Sequence, residues 1–574
     1  MRSTRLTPPS ASDAGRVEAF APWPRSRWSE NRIGPMGPIG PIEEALAPPM
    51  PKLTLDHHEI EVPPGTTVLE AARTLGIEIP TLCHLDGFEH STSCFVCVVK
   101  IRGRHGFVPS CATVVTDGMH VESETNEVRE ARKMALELLL SDHLGDCIGP
   151  CHAVCPAHMN IPLMVRQIAA GRLRDAVATV KEHIPLPAVL GRICPAPCEK
   201  GCRRGQHDAP VSICLLKRFV GDFDVAATEP YLPHRKPSSG KRVAIVGAGP
   251  AGLSAAWYLL QDGHAVTVFD DHAKPGGMLQ YAVPEDKLPR PALDAEIALI
   301  LRLGVELRLG KRIETIAELQ ADFDAVLIAA GELRPGDAER LGLPASKAGV
   351  EADKETLATP LKGVFAAGGA IRPQKMAVRS VADGHTAAIS ISQYLAGRPV
   401  VGPPKLYSTH IWKPKEGEMA AFLAEASPGP RVEPSGGLAA GFTEPEARQE
   451  ALRCLHCDCR KPHSCRLRRW AAALDASPSR FKGERRAFVQ HAQHDLVLYE
   501  PGKCIRCGLC IQACARAGEE LGLTFIGRGF DVVVAVPFGR SVAEGLRKAA
   551  AECVAACPTG AIALRQGEDP ATGP

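Results

Sequence analysis

Twenty-one cysteines stand along this 574-residue chain in short, repeated spacings, and they restrict its fold more than any other feature. Sulfur at that density either closes disulfides or binds metal. The leading residues 1–49 are rich in Pro, Arg, Ser and Gly and lack the apolar core of a secretory signal. They are read as a disordered lead or a start placed too early, with Met50 as the natural beginning. Tight spacings in a long chain without a signal favour metal ligation over disulfides, with thiols kept reduced as in the cytoplasm. The fold must therefore bring thiols together in sets of about four.

The first set is Cys83, Cys94, Cys97 and Cys111, spaced C-x10-C-x2-C-x13-C. Soft thiolates so placed suit an iron–sulfur cluster, with structural zinc as the plainer alternative. Ahead of them Leu53–Val62 alternates as a strand, Pro63-Pro64-Gly65 turns it, and Thr67–Leu75 is a short amphipathic helix. Asn126–His143 reads as a helix with Leu136, Leu138, Leu139 and Leu140 toward a core. Cys147, Cys151 and Cys155 follow, then Cys194, Cys198, Cys202 and Cys214. Cys454, Cys457, Cys459 and Cys465 crowd into twelve residues and are expected to hold one site, cluster or zinc. Cys504, Cys507, Cys510 and Cys514 give C-x2-C-x2-C-x3-C, with Cys553 and Cys557-Pro558 beyond. In that bacterial ferredoxin signature the last cysteine of one run serves the cluster of the other. Cys504, Cys507, Cys510 and Cys557 then hold one [4Fe–4S] cluster, and Cys514 and Cys553 are left over.

None of the cysteines falls within Lys241–Asp271. There Lys241–Val246 is a strand, Gly247, Gly249 and Gly252 form G-x-G-x-x-G, Leu253–Gln261 continues as a helix, and Ala265–Phe269 is a second strand ending at Asp270. Gly247 permits the tight turn, Gly249 lets a pyrophosphate approach, and Gly252 lets helix and strand pack closely. The helix N-terminus faces the phosphates, and Asp270 is placed to accept from a ribose hydroxyl.

GAGPAG, then Gly276–Pro289, Phe323–Gly331 and Gly363–Gly369, resemble the FAD domain of the glutamate synthase small subunit and its relatives. The resemblance implies FAD rather than NAD at the turn, and Gly277, Gly331 and Gly368 join the cofactor site. The chain departs from these relatives twice. Gly369 stands where they carry an aspartate against the flavin's sugar chain. Only about thirty residues separate Gly331 from Gly363, too few for the inserted NAD(P)H domain, whose βαβ units need about thirty residues each. The chain is therefore expected to bind FAD without the usual NAD(P)H site.

The runs Cys147–Pro162 and Gly191–Gly205 resemble the helical domain of the same family, in which two [4Fe–4S] clusters sit between helices and mix cysteines from both runs. Six cysteines fall two short; His143 and Cys214 are the nearest groups to complete the eight. The first set resembles the N-terminal [2Fe–2S] domain of the complex I large iron–sulfur subunit and related hydrogenases, where a similar helix delivers a histidine ligand. A capping histidine and a core cysteine are the plainer readings of His143 and Cys214. One [2Fe–2S], two central, one Cys454-type and one terminal cluster need twenty ligands, which nineteen cysteines and His143 supply.

The expected fold class is multidomain α/β plus α+β. A β-grasp [2Fe–2S] domain (50–125) precedes a helical [4Fe–4S] domain (126–235) and a Rossmann-like FAD domain (236–400). A linker (401–450) and a ferredoxin-like Cys-rich domain (451–574) follow. Expected cofactors are FAD, one [2Fe–2S] and two to four [4Fe–4S] clusters. A net charge of +2 from 67 basic and 65 acidic residues provides no field for nucleic acid. No run of eighteen apolar residues predicts a membrane span. No catalytic acid–base pair or nucleophile is legible. The first functional expectation is an electron-transfer subunit docking a diaphorase, hydrogenase or formate-dehydrogenase-like partner. A self-sufficient NAD(P)H-dependent oxidoreductase and a non-redox scaffold are the alternatives.

Overall fold

The structure is a computed structural model and describes residues 49–567; the lead segment, Pro49 apart, lies outside the described residues. The first region is a five-stranded mixed sheet in the order His58–Glu61, Lys52–Leu55, Met119–Glu122, Val98–Ile101, Val108–Pro109. The expected single strand 53–62 is instead a hairpin, because Asp56 takes a left-handed φ of 53° and starts a two-residue turn. Its carboxylate then accepts from the Ser123 N–H and hydroxyl. The helix Val68–Thr74 begins with a capping box between Thr67 and Glu70 and buries Val68, Leu69, Ala71 and Ala72 against the sheet.

The helix Asn126–Ser141 is capped by the Thr125 hydroxyl and buries Leu136 and Leu140, while Leu138 faces solvent. The 3.6-residue period turns Leu138 away from the face that Leu136 and Leu140 share. Short helices Ile161–Ala169, Leu173–Lys181, Pro187–Ile193 and Ile213–Ala226 pack around one apolar cluster that includes Cys155, Cys198 and Cys214.

The central region is a five-stranded, wholly parallel sheet in the order Val364–Ala366, Ala325–Ile328, Arg242–Val246, Ala265–Phe269, Glu306–Arg308. Its inner strands are buried on both faces, as a parallel sheet covered by helices requires. The helix Pro250–Gln261 lies against the long closing helix Ala377–Leu395, where the Ser254 hydroxyl donates to the Val381 carbonyl at 2.8 Å. Between Ile328 and Val364 the chain forms one short helix, Asp337–Arg340, and a hairpin of two-residue strands.

Residues 401–450 are not a free linker. They wrap the helical region: Cys147 N–H donates to the Thr409 carbonyl, and Arg204 donates to the carbonyls of Ser427, Gly429 and Arg453. The helix Glu444–Ala451 sends Ala447 and Ala451 into the cluster around Ile161–Ala169. Residues 451–567 likewise do not stand apart. Cys454–Cys465 threads back among the central cysteines, and only the last part has its own core, built on helices Leu509–Ala517 and Ala550–Ala556 with the antiparallel pair Val497–Tyr499 and Ile562–Leu564. Among the described residues no helix is long and apolar enough to cross a membrane.

Candidate metal centres and nucleotide turn

Twenty candidate ligands gather into five sets of four. In the first, the Sγ atoms of Cys83 and Cys94 are 3.3 Å apart and those of Cys97 and Cys111 are 3.5 Å apart. The Cys94 thiol holds Cys83 down to about 5, and Cys111 holds Cys97 down to about 7. The terminal set, Cys504, Cys507, Cys510 and Cys557, lines one pocket with Tyr499 and Thr559. This is the crossed combination in which Cys557 joins the earlier run.

The expected Cys454–Cys465 site is divided. Cys459 and Cys465 line one pocket with His143 and Cys147. Cys454 and Cys457 instead face Cys151 and Cys202: burial raises the Cys151 thiol, and charges on Cys202, Cys454 and Cys457 raise it further. The divide has a physical cause. Asp458, between the two pairs, is buried and bound by the Arg166 guanidinium at 2.8 Å, which pins the segment between two cavities. The last set is Cys155, Cys194, Cys198 and Cys214, gathered around the Lys217 ammonium, which is 3.9 Å from Cys214 Sγ. One sign of this partition was available in the spacing. Neither central run completes a set by itself, so the two halves of Cys454–Cys465 could be shared out to finish two of them.

His143 is half-buried, and its buried Nδ1 has no hydrogen-bond partner. Burial, then the Lys503 ammonium, pushes its imidazole down to about 3, so the ring is neutral with a lone pair free for a metal. Burial also pushes Cys454, Cys465 and Cys507 up to about 12 and Cys504 to about 11. Thiols so buried stay protonated unless a cation compensates, and a metal cluster is such a cation. The donor chemistry therefore fits iron–sulfur groups at all five places.

The sets are contiguous. Cys83, Cys94, Cys465 and Cys507 share one apolar cluster, and Arg466 lies within the field of Cys507, Cys557, Cys94 and Cys83. Lys503 lies within the field of both Cys459 and Cys147. Cys147, Cys151 and Cys155 then enter three successive sets, and each four-residue step spans at most about 14 Å of extended chain. The last set shares its cluster with Val378 and Val381 at the start of the closing helix.

At the nucleotide turn Gly247 has φ +110°. A Cβ on Gly249 would meet nothing nearer than Gly277 Cα at 3.9 Å, which leaves room for a pyrophosphate. Gly252 is packed: a Cβ there would lie 2.0 Å from the Gly247 carbonyl oxygen. Gly252→Ala is expected to cost ~3 kcal/mol locally and to lower the flavin content of purified protein while its iron content holds, measured together on one sample. Asp270 accepts from the Ala248 and His272 N–H groups at 2.7 and 2.9 Å, so it clamps the turn. Gly368 abuts Ala251 beside the turn, and Gly331 abuts Gly369. A Cβ on Gly369 would lie 3.0 Å from both Glu332 N and Gly331 C, so a side chain here would crowd that backbone. The residues present fit a dinucleotide that makes one fewer polar contact.

Three family models match. Residues 50–126 match a 2Fe-2S iron-sulfur cluster binding domain, 142–229 match dihydropyrimidine dehydrogenase domain II, 4Fe-4S cluster, and 245–295 match an NAD(P)-binding Rossmann-like domain. They define the class: a chain assembled from two kinds of cluster-binding domain and a Rossmann-type domain. The chain is 42% identical over 207 residues to the beta subunit of NADP(+)-dependent formate dehydrogenase of Moorella thermoacetica, covering 32% of this chain and 29% of that one. It is 41% identical over 190 residues to the PreT subunit of NAD-dependent dihydropyrimidine dehydrogenase of Escherichia coli O157:H7, covering 32% and 45%. To the small chain of NADPH glutamate synthase of Mycobacterium tuberculosis it is 38% identical over 192 residues, covering 32% and 39%. The chain thus spans less than half the length of these relatives.

Proposed function

We propose that this chain is an iron–sulfur flavoprotein that relays electrons as one subunit of a larger oxidoreductase. Cys83, Cys94, Cys97 and Cys111 hold a [2Fe–2S] cluster, and the other four sets each hold a [4Fe–4S] cluster. The glycine turn with Asp270 holds FAD. When bound, these groups carry electrons singly at the clusters and singly or in pairs at the flavin. The chain's own work is positioning. The observation that carries this reading is the passage of Cys147, Cys151 and Cys155 through three adjoining sets. It aligns the sites from the [2Fe–2S] domain, through the terminal and central sets, to the closing helix beside Gly368. Half-buried Arg466 and buried Lys503, Arg203 and Lys217 place a cation beside the cysteines at successive steps.

Partners are redox subunits of the diaphorase, hydrogenase or formate-dehydrogenase kind, by analogy with the relatives' own assemblies, and a reducing cytoplasm suits so many open thiols. A second reading rests on the NAD(P)-binding family model at 245–295, which would seat a nicotinamide dinucleotide and make the chain reduce an acceptor alone. Protein purified without oxygen is expected to carry about eighteen irons and one FAD, and its flavin colour is expected to persist when NADPH or NADH is added. Rapid bleaching by either nucleotide would overturn the first reading in favour of the second.

A further inference from the structure

Cys514 and Cys553 belong to none of the five sets. Their Sγ atoms are 3.7 Å apart, and the residues are 3% and 0% exposed. Cys514 sits four residues after Cys510 in the helix Leu509–Ala517, and Cys553 four before Cys557 in the helix Ala550–Ala556, so the pair joins the two helices beside the terminal set. Cys553 Sγ lies 3.5 Å from the Cys510 carbonyl, and Cys514 Sγ accepts the Leu523 N–H at 3.4 Å.

We propose that Cys514 and Cys553 are a redox-active dithiol that exchanges electrons with the terminal cluster, an inference that rests on the cluster assignment of Cys504, Cys507, Cys510 and Cys557 above. Oxidation breaks two S–H bonds and forms one S–S bond. Two electrons would leave one at a time to an oxidised cluster held by Cys504, Cys507, Cys510 and Cys557, and from there to an oxidised one-electron acceptor on the relay. Two protons pass to water. Exchange with a disulfide in solution requires direct attack at sulfur, and burial closes that route. The electron route needs no opening, because the Cys510 backbone already touches Cys553. Closing the gap to the ~2.0 Å of an S–S bond is a small side-chain movement. The device would add a two-electron store to a line of one-electron carriers.

The test uses the full holoprotein, poised anaerobically with mediators over a series of potentials, quenched in acid with N-ethylmaleimide, digested and weighed by mass spectrometry. The expected result is a disulfide-linked Cys514–Cys553 peptide at the oxidised end and two alkylated cysteines at the reduced end, with iron content constant. Cys514→Ala and Cys553→Ala should each abolish the link and keep the iron. Alkylation of both cysteines at every potential, or a link that forms only after iron is lost, would overturn the proposal. Cys507→Ala separates the two readings. Full iron content in that variant sinks the terminal-cluster assignment, whatever the pair does. With iron lost, the link should form at least about tenfold more slowly, and an unchanged rate overturns the electron route.

Discussion

Replacing Cys457 and Cys459 together by alanine is expected to remove two [4Fe–4S] clusters, about eight irons per chain, whereas replacing Cys454 and Cys457 removes one, about four. The two pairs come from the same run and delete the same amount of sulfur, so chemistry at the level of composition predicts no difference. The difference comes from Asp458. Held by Arg166, it stands where the chain passes from the Cys151–Cys202 site to the His143–Cys147 site. Cys454 and Cys457 both lie before it, while Cys459 lies after it. Iron per flavin, with low-temperature spin counting of the reduced clusters, reads the outcome. Equal loss of about four irons from both variants would show that the run holds one cluster by itself, as its spacing had led us to expect.

That spacing shows what sequence can and cannot convey about such a chain. The glycine turn was legible to within a residue or two: the strand Arg242–Val246, the strand Ala265–Phe269 and the close packing of Gly252 all follow from local sterics. The terminal set was legible too, because the ferredoxin signature carries its own crossing rule and identifies Cys514 and Cys553 as surplus. The central sets were legible as a list of residues but not as a partition. A thiol's spacing fixes its neighbours along the chain only where one loop wraps one cluster. Cys151 meets Cys454 across about three hundred residues, brought there by the wrapping segment and by buried pairs such as Arg166–Asp458, at 2.8 Å. Those contacts depend on tertiary packing, which alternation and helical period do not encode. The same limit explains residues 401–450, whose Pro- and Gly-rich composition marks irregular backbone but not the carbonyls that Arg204 binds.

Lys217→Met is expected to lower the reduction potential of the Cys155–Cys194–Cys198–Cys214 cluster by ~100 mV and to leave the other four within ~30 mV, followed by an EPR-monitored redox titration. The ammonium lies 3.9 Å from Cys214 Sγ and is wholly buried. Burial alone would drive it neutral, but the thiolates of Cys214, Cys194, Cys198 and Cys155 outweigh that and hold it charged. Two unit charges 4 Å apart interact by about 4 kcal/mol at an effective dielectric constant of 20. The added electron is spread over a cluster that extends away from Lys217, so about half of that, ~2 kcal/mol, is the differential effect, and for one electron this is close to 100 mV. The sign follows from charge: reduction adds negative charge beside a cation, so the cation favours the reduced state and its removal makes reduction harder. Methionine keeps the straight chain and most of the volume, which separates loss of charge from loss of packing. Lys217→Arg, which keeps the charge, should hold the potential near its original value. Cys155, Cys198 and Cys214 share an apolar cluster with Val378 and Val381 of the closing helix, so under the proposed relay the shift would make electron transfer into this site less favourable. A potential unchanged in Lys217→Met, with iron intact, would show that solvent or a second cation screens the site and that Lys217 does not tune it.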